Sequence, residues 1–202
     1  MGNFNLRKLV DFIEQTCEEH GIEIKLSKGK YVLCNKIKCN GYFDYEAEKL
    51  AVATNIKSWE LILVHEFSHF MQWLEDCKEW RAYIRDQKAG EVVEPALAGK
   101  SVDTKKLRGQ LRTTMMMERD CERRSVELLQ QFHYPEDKVR QYIQKANAYT
   151  IFYLHIEKTR KWYKVGSEPY NKAVVWKNFP ETFDIDVAEV YKHLGDLYEH
   201  CY

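Results

Sequence analysis

The chain lacks several features that would narrow its class at once. Its 202 residues include only nine glycines and four prolines, and no repeat or low-complexity tract is present. The longest apolar run, residues 61–64, is far too short to cross a bilayer, and the N-terminal residues lack the apolar core of a secretion signal. We therefore predict a cytoplasmic protein without a membrane partner.

Charge and cysteine content exclude further classes of function. The 31 basic side chains balance 31 acidic ones, whereas nucleic-acid binders usually present a basic surface, so a nucleic acid is not the expected partner. The six cysteines contain no CxxC pair and are expected to be reduced thiols. Cys34 and Cys39 have a ligand-like spacing, but no second Cys or His pair lies near them in the sequence.

The remaining composition suits one domain with a substantial core, since 45% of the residues are hydrophobic and 13% are aromatic. Apolar periodicity predicts three or four strands within residues 22–54, a loop at 85–106, and helices at 5–20, 59–76, 105–132, 135–162 and 186–200. These elements predict an α+β fold that is predominantly helical, with a small antiparallel sheet packed on a central helix. We predict a single domain over residues 1–202, with a core at about 20–132 and a C-terminal helical extension at 135–202.

A metal-binding pattern lies in the central helix, at residues 65–69. His65 and His69 are four residues apart, so they project from one helix face, one turn apart, and two imidazoles in that arrangement can bind one Zn²⁺. Glu66 is next to the first histidine, where its carboxylate can accept a proton from metal-bound water and later pass it to a leaving amine. The pattern predicts a zinc centre with Glu66 as the catalytic base.

A catalytic zinc normally takes a third protein ligand, and the best donor segment is residues 117–129. It offers the carboxylates of Glu118, Asp120 and Glu122. At about 100° per residue, Glu118 and Glu122 fall on the apolar side of the predicted helix, whereas Asp120 points about 200° away from Glu118, toward solvent. Helical phase therefore favours Glu118 or Glu122.

Together these two segments resemble the zincin metallopeptidases, in particular the gluzincin branch with its ImmA/IrrE-like and phage-encoded members. There, a helical HExxH is followed by a second helix written E-x-x-A-D/N, and Glu118 begins such a segment with Cys121 for Ala and Glu122 for Asp. The resemblance covers roughly residues 20–132. It implies that Glu118 is the third zinc ligand, that Glu122 holds the ring of a ligand histidine, and that the strand at 50–54 pairs with an extended peptide substrate.

The resemblance implies a peptidase acting on a peptide or protein, and Tyr149 is a candidate for stabilising the transition state. The chain differs from two other zincin groups. Metzincins have a third histidine soon after the first two, and thermolysin has an Asn-Glu-x-x-Ser-Asp segment, and this sequence contains neither. The alternative is a catalytically inactive module of the same fold that binds or regulates a partner. An intact Glu66 favours the enzyme, because a structural metal needs its ligands but no base. A third hypothesis, a nucleic-acid surface formed by the basic and aromatic residues 158–164, is opposed by the neutral net charge.

Overall fold

The computed structural model describes residues 3–202. Its strands are β1 (Glu23–Ser27), β2 (Val32–Cys34), β3 (Ile37–Cys39), β4 (Gly41–Asp44) and β5 (Lys49–Ala53). Its helices are α1 (Leu6–Glu19), α2 (Trp59–Leu74), α3 (Lys78–Lys88), α4 (Val93–Leu97), α5 (Thr104–Gln131), α6 (Glu136–Thr159), α7 (Ala173–Trp176), α8 (Val187–Lys192) and α9 (Leu194–Tyr198), followed by a 3₁₀ turn (Glu199–Cys201). The prediction of a mostly helical α+β fold is confirmed.

The helices α1, α2, α5 and α6 begin and end within three residues of their predicted limits. The helix predicted at 186–200 is divided into α8, α9 and the 3₁₀ turn. The loop predicted at 85–106 is wrong in part, because it contains the end of α3 and all of α4. Pro95 lies in the first turn of α4, where the missing N–H group has no intrahelical partner to lose.

The predicted antiparallel arrangement of the sheet is wrong. A three-stranded mixed sheet has the order β1-β5-β4, with β1 parallel and β4 antiparallel to β5, and β2 pairs only with β3 in a separate hairpin. The hairpin leaves the sheet between β1 and β4, so β1 pairs with β5 and not with β2, the strand that follows it in sequence. Because both edges of β5 are paired, the strand predicted to bind a substrate has no free edge. The outer strands β1 and β4 each lie at an edge of the sheet, and β4 is the one that passes against Glu66 of α2.

Two elements cover the opposite faces of this sheet. On one face the ring of Phe43 in β4 lies 5.7 Å from that of Phe70 in α2. On the other face Val32 of the hairpin packs with Ala51 and Ala53 of β5. Side chains alternate between faces along a strand, so helix α2 and the hairpin sit on opposite sides of the sheet.

The chain divides into two compact units, the first ending at Cys77 and resuming for Arg124–Glu136, and the second comprising Lys78–Arg123 and Asp137–Tyr202. The first unit contains α1, all five strands, α2 and the end of α5, and its fully buried residues include Leu9, Ile13, Leu50, Leu63, Phe70 and Leu129. The second has its own core, which includes Leu107, Leu111, Ile151, Phe152, Trp176 and Tyr198. The predicted single domain stays a prediction.

None of the helices in residues 3–202 combines the length and the apolar character that crossing a bilayer would need.

Candidate metal centre

The HExxH residues lie on the face of α2 that core packing leaves accessible. Leu63, Val64 and Phe67 are buried, as is Phe70, whereas the side chains at positions 62, 65, 66 and 69 are only half-buried. These four positions recur at the spacing of one helix face. The sequence therefore directs its bulky apolar residues into the core and leaves the two histidines and the glutamate within reach of a ligand.

The two imidazoles face each other through their Nε2 atoms. His65 Nε2 and His69 Nε2 are 3.1 Å apart, and the ring planes are at 88°. Two neutral imidazoles keep this separation only when a proton or a cation lies between the nitrogens, because two bare lone pairs repel each other. In a tetrahedral zinc site, with Zn–N bonds of about 2.0–2.1 Å, two ligand nitrogens are about 3.3 Å apart. The pair fits such a metal.

Gln72 orients the ring of His69. Its Oε1 atom lies 2.9 Å from His69 Nδ1, so the ring donates Nδ1–H to the amide oxygen and keeps the lone pair of Nε2 for a metal. The side chain of Gln72 is fully buried, which fixes this orientation. Gln72 thus makes a hydrogen bond to a histidine ring of the kind that the family resemblance assigned to Glu122, and the role of Glu122 itself stays a prediction. The sequence could have indicated this contact, because Gln72 follows His69 by three residues and residues at that spacing are neighbours on a helix.

Hydrogen bonds hold helix α2 within the first unit at Ser68, between the two histidines, and at Glu60, near the start of the helix. Ser68 Oγ donates to or accepts from Ser125 Oγ at 3.0 Å and also lies 2.8 Å from Val64 O. Near the start of the helix, Tyr134 donates to Glu60 Oε1 at 3.0 Å. These contacts hold the helix against residues 124–134, so the histidine face is presented by a rigid element.

The backbone of β4 passes against Glu66. A Cβ atom placed at Gly41 would lie 3.1 Å from Glu66 Cγ and 2.7 Å from the side chain of Ile62, so only glycine allows this close approach. The charge of Glu66 also reaches the hairpin, because burial first and then nearby charges, including that of Glu66, raise the pKa of the Cys34 and Cys39 thiols. The catalytic-base candidate therefore lies where β4 passes against α2.

Within the second unit, α5 carries the three carboxylates considered for the third ligand. Glu118 is 7% exposed and Glu122 is 5% exposed, whereas Asp120 is half-buried. Helical phase thus places Glu118 and Glu122 inward, although Asp120 is less exposed than predicted. Tyr142 of α6, which belongs to the same unit, donates a hydrogen bond to Glu122 Oε2. The ligand role of Glu118 stays a prediction.

Tyr149 belongs to a pair of tyrosines on α6. Its hydroxyl lies 3.0 Å from that of Tyr153, and Tyr153 is buried while Tyr149 is half-buried. Burial first and then the charge of Glu118 raise the pKa of both phenols well above the ordinary value. Both hydroxyls are therefore protonated at neutral pH, and the pair can donate a hydrogen bond to an anion. Sequence reasoning named Tyr149 alone.

The aromatic residues of the basic segment 158–164 do not form an open stacking surface. Trp162 and Tyr163 pack against Phe152 with ring centroids 5.9 and 5.3 Å from it. Lys158 lies over the ring of Tyr191, with its Nζ atom 4.1 Å from the centroid. These contacts give both rings a packing role in the second unit, while Trp162 stays 38% exposed.

Comparisons with known proteins give no relatives: no family model, no curated protein and no solved structure matches the chain.

Proposed function

We propose that the protein is a zinc-dependent peptidase that hydrolyses peptide bonds with metal-activated water. The observation that supports this most directly is the pair of Nε2 atoms 3.1 Å apart on one accessible helix face, with a carboxylate beside them. His65 and His69 fit two positions of a tetrahedral zinc site. When bound, the zinc would polarise the scissile carbonyl and lower the pKa of a water molecule.

Each side chain of the centre has a separate task in this proposal. Gln72 holds the His69 ring in the tautomer that presents Nε2. Glu66 accepts the proton of the attacking water and donates it to the amine that leaves. Gly41 allows β4 to lie against Glu66, which limits the positions that this carboxylate can take. The reaction therefore depends on the edge strand as well as on the helix.

Two further roles come from the second unit. We keep Glu118 as the proposed third ligand, because it matches the family pattern and is a buried carboxylate on α5. Cys121 is a further buried donor one turn along the same helix, beside Glu122, and its thiol is the competing ligand to be tested. The Tyr149 and Tyr153 pair, held protonated by burial, is proposed to stabilise the oxyanion.

The substrate is proposed to be an extended peptide or protein segment that pairs with β4. This strand lies at the edge of the sheet and passes against Glu66. Edge pairing supplies main-chain hydrogen bonds that do not depend on the substrate sequence, so side-chain selection must come from neighbouring elements.

The test is to separate metal content from activity. Glu66→Gln should retain about one zinc per chain and lose peptide hydrolysis, since the residue is a base and not a ligand. His65→Ala should lose both, and should no longer gain thermal stability when zinc is added. Protein purified without a polyhistidine tag should be used for metal analysis. Loss of zinc in Glu66→Gln would refute the assigned role of this residue.

The third ligand is tested by zinc affinity in two matched variants. Glu118→Ala should lose most of the binding, whereas Cys121→Ser should change it little. The reverse order would assign the ligand to the thiol. Zinc bound without hydrolysis of any peptide would instead support the inactive binding module.

A further inference from the structure

The accessible face of α2 continues past the metal centre and ends in an apolar side chain at each end. Ile62 precedes Glu66 by one turn. Trp73 follows His69 by one turn. At about 100° per residue, these four side chains fall within a sector of about 60° around the helix axis, and all four are half-buried. The face therefore has a polar centre between two apolar ends.

Trp73 is held by the core and stays partly accessible. Its ring lies 5.9 Å from that of Phe43 in β4 and 6.1 Å from that of Phe70 in α2. Phe70 is fully buried, whereas Trp73 is only half-buried, so these contacts fix the indole without covering all of it. Because Gly41, two residues before Phe43, lies against Glu66, β4 follows α2 from its polar centre to the indole.

The backbone of β4 at Gly41 faces away from β5. Ala53 N donates to Asn40 O at 2.8 Å, so these two residues form a hydrogen-bonded pair of the antiparallel ladder. Such pairs alternate with pairs that share no hydrogen bond, and Gly41 with Val52 is the next pair. The N–H and C=O groups of Gly41 therefore point toward the outer edge of β4. A peptide that pairs there lies beside Glu66.

The spacing along α2 determines which side chain of such a peptide reaches the indole. A helix rises about 1.5 Å per residue, so Trp73 lies about 9 Å along the axis from the midpoint of the two histidines. An extended peptide advances about 3.3 Å per residue. The side chain at the level of Trp73 is therefore the second or third from the bond at the metal. Since side chains alternate between the two sides of an extended peptide, one of these two faces α2.

We propose that Trp73 is a specificity-determining residue that selects peptide substrates with a large apolar side chain two or three residues from the scissile bond. This inference rests on the proposed function and names the substrate class of the same site. An indole held in place offers a large and rigid apolar surface, which gains most from contact with an aromatic or long aliphatic side chain. Ile62 is less suited to this role, because its side chain packs directly on the backbone of β4 at Gly41.

The preference is measured from the positions of cleavage. The zinc-loaded protein is incubated with a long unfolded polypeptide, and the products are identified by mass spectrometry. Aromatic residues, leucine and methionine should be enriched at one fixed position, two or three residues from the cleaved bond. Trp73→Ala should lose this enrichment and keep about one zinc per chain, since the indole is not a ligand. Trp73→Phe keeps an aromatic ring beside Phe43 and should keep the preference.

Peptide binding without hydrolysis provides a second measurement. The Glu66→Gln protein supplied with zinc is titrated with two labelled peptides that differ only at the selected position, which is Phe in one and Ser in the other. The Phe peptide should bind about tenfold more tightly, as expected for burial of roughly half of that side chain. Trp73→Ala should remove the difference and leave the Ser peptide unaffected. Leu33→Ala is the matched control, because it removes an apolar side chain that is 55% exposed on the hairpin, across the sheet from α2.

The outcomes separate this inference from the proposed function. Cleavage without a fixed apolar position, or with a preference that Trp73→Ala leaves unchanged, would overturn the role of Trp73 and leave the peptidase standing. Binding of the Phe peptide that depends on Trp73, with no hydrolysis by the native protein, would support peptide recognition by Trp73 and overturn the peptidase. Loss of zinc from both Trp73→Ala and Trp73→Phe would assign the indole to the folding of α2 alone and refute the proposal.

Discussion

Replacing Gly41 by alanine tests the close approach of β4 to α2. The added methyl group would lie 2.7 Å from Ile62 Cγ2, 3.1 Å from Glu66 Cγ and 3.2 Å from Ala51 O. Carbon atoms do not approach within 3.0 Å without displacement, and the contacted atom belongs to a β-branched side chain with few rotamers in a helix. Ala51 O is backbone of the central strand and cannot give way. The strand or the helix must therefore shift.

The expected cost follows from these contacts. Overpacking of this kind costs about 1–3 kcal/mol. Alanine also restricts the unfolded chain more than glycine does, and this offsets about 0.4–1 kcal/mol of that cost. The net loss of about 1–2 kcal/mol should lower the Tm by roughly 2–8 °C for a chain of this length. Because the shift is forced at Glu66, hydrolysis should fall more than zinc affinity.

Gly109 is the matched control for this change. It lies inside α5, and a Cβ atom placed there meets nothing within 4 Å. Gly109→Ala should therefore stabilise the protein by about 0.5–1 kcal/mol, since glycine is a poor helix former. The two Gly→Ala changes should have opposite signs in thermal or denaturant unfolding. A Gly41→Ala variant that melts at or above the native temperature would refute the close approach.

Two other predictions concern one contact of the metal centre and one of the second unit. Gln72→Ala removes the acceptor of His69 Nδ1–H and should weaken zinc affinity about 10- to 100-fold, as measured by competition with a chelator; unchanged affinity would show that the ring needs no such partner. Burial acts to raise the pKa of Glu157, but its bonds to Arg112 and the charge of Arg108 hold the pKa below the ordinary value of 4.5. A lowered folded-state pKa stabilises the protein above the unfolded value and ceases to do so as pH falls through the folded one. As the pH is lowered below about 5, the melting temperature of Glu157→Gln should therefore fall less than that of the native protein.

The sequence predicted those features that depend on local periodicity. The long helices were found because apolar residues recur along them at helical spacing, and the inward position of Glu118 and Glu122 followed from the same phase. The histidine pair was found for the same reason, since both residues and their separation lie within one turn of α2. Local patterns of this kind need no knowledge of tertiary contacts.

The order of the strands could not be predicted in this way. The periodicity of β1 and β5 is compatible with either direction of pairing, and their parallel contact is made only after the chain has passed through the hairpin and β4. The family resemblance assigned an edge that pairs with a substrate to the strand at 50–54, which is β5 and has both edges paired. Which strands lie at the edges of the sheet therefore depends on long-range topology.

The segment from Asn35 to Gly41 nevertheless departs twice from the local preferences of turns and strands. Lys36 occupies a turn position where glycine is favoured, and Gly41 opens a strand where a side chain that packs is favoured. Each departure is unfavourable for local structure, and the contact of β4 with α2 accounts for the glycine at position 41. In the structure one allows β4 to lie against Glu66, and the other places a charge at the tip of the neighbouring hairpin. Gly41 thus marks the point where β4 lies against Glu66, the candidate base.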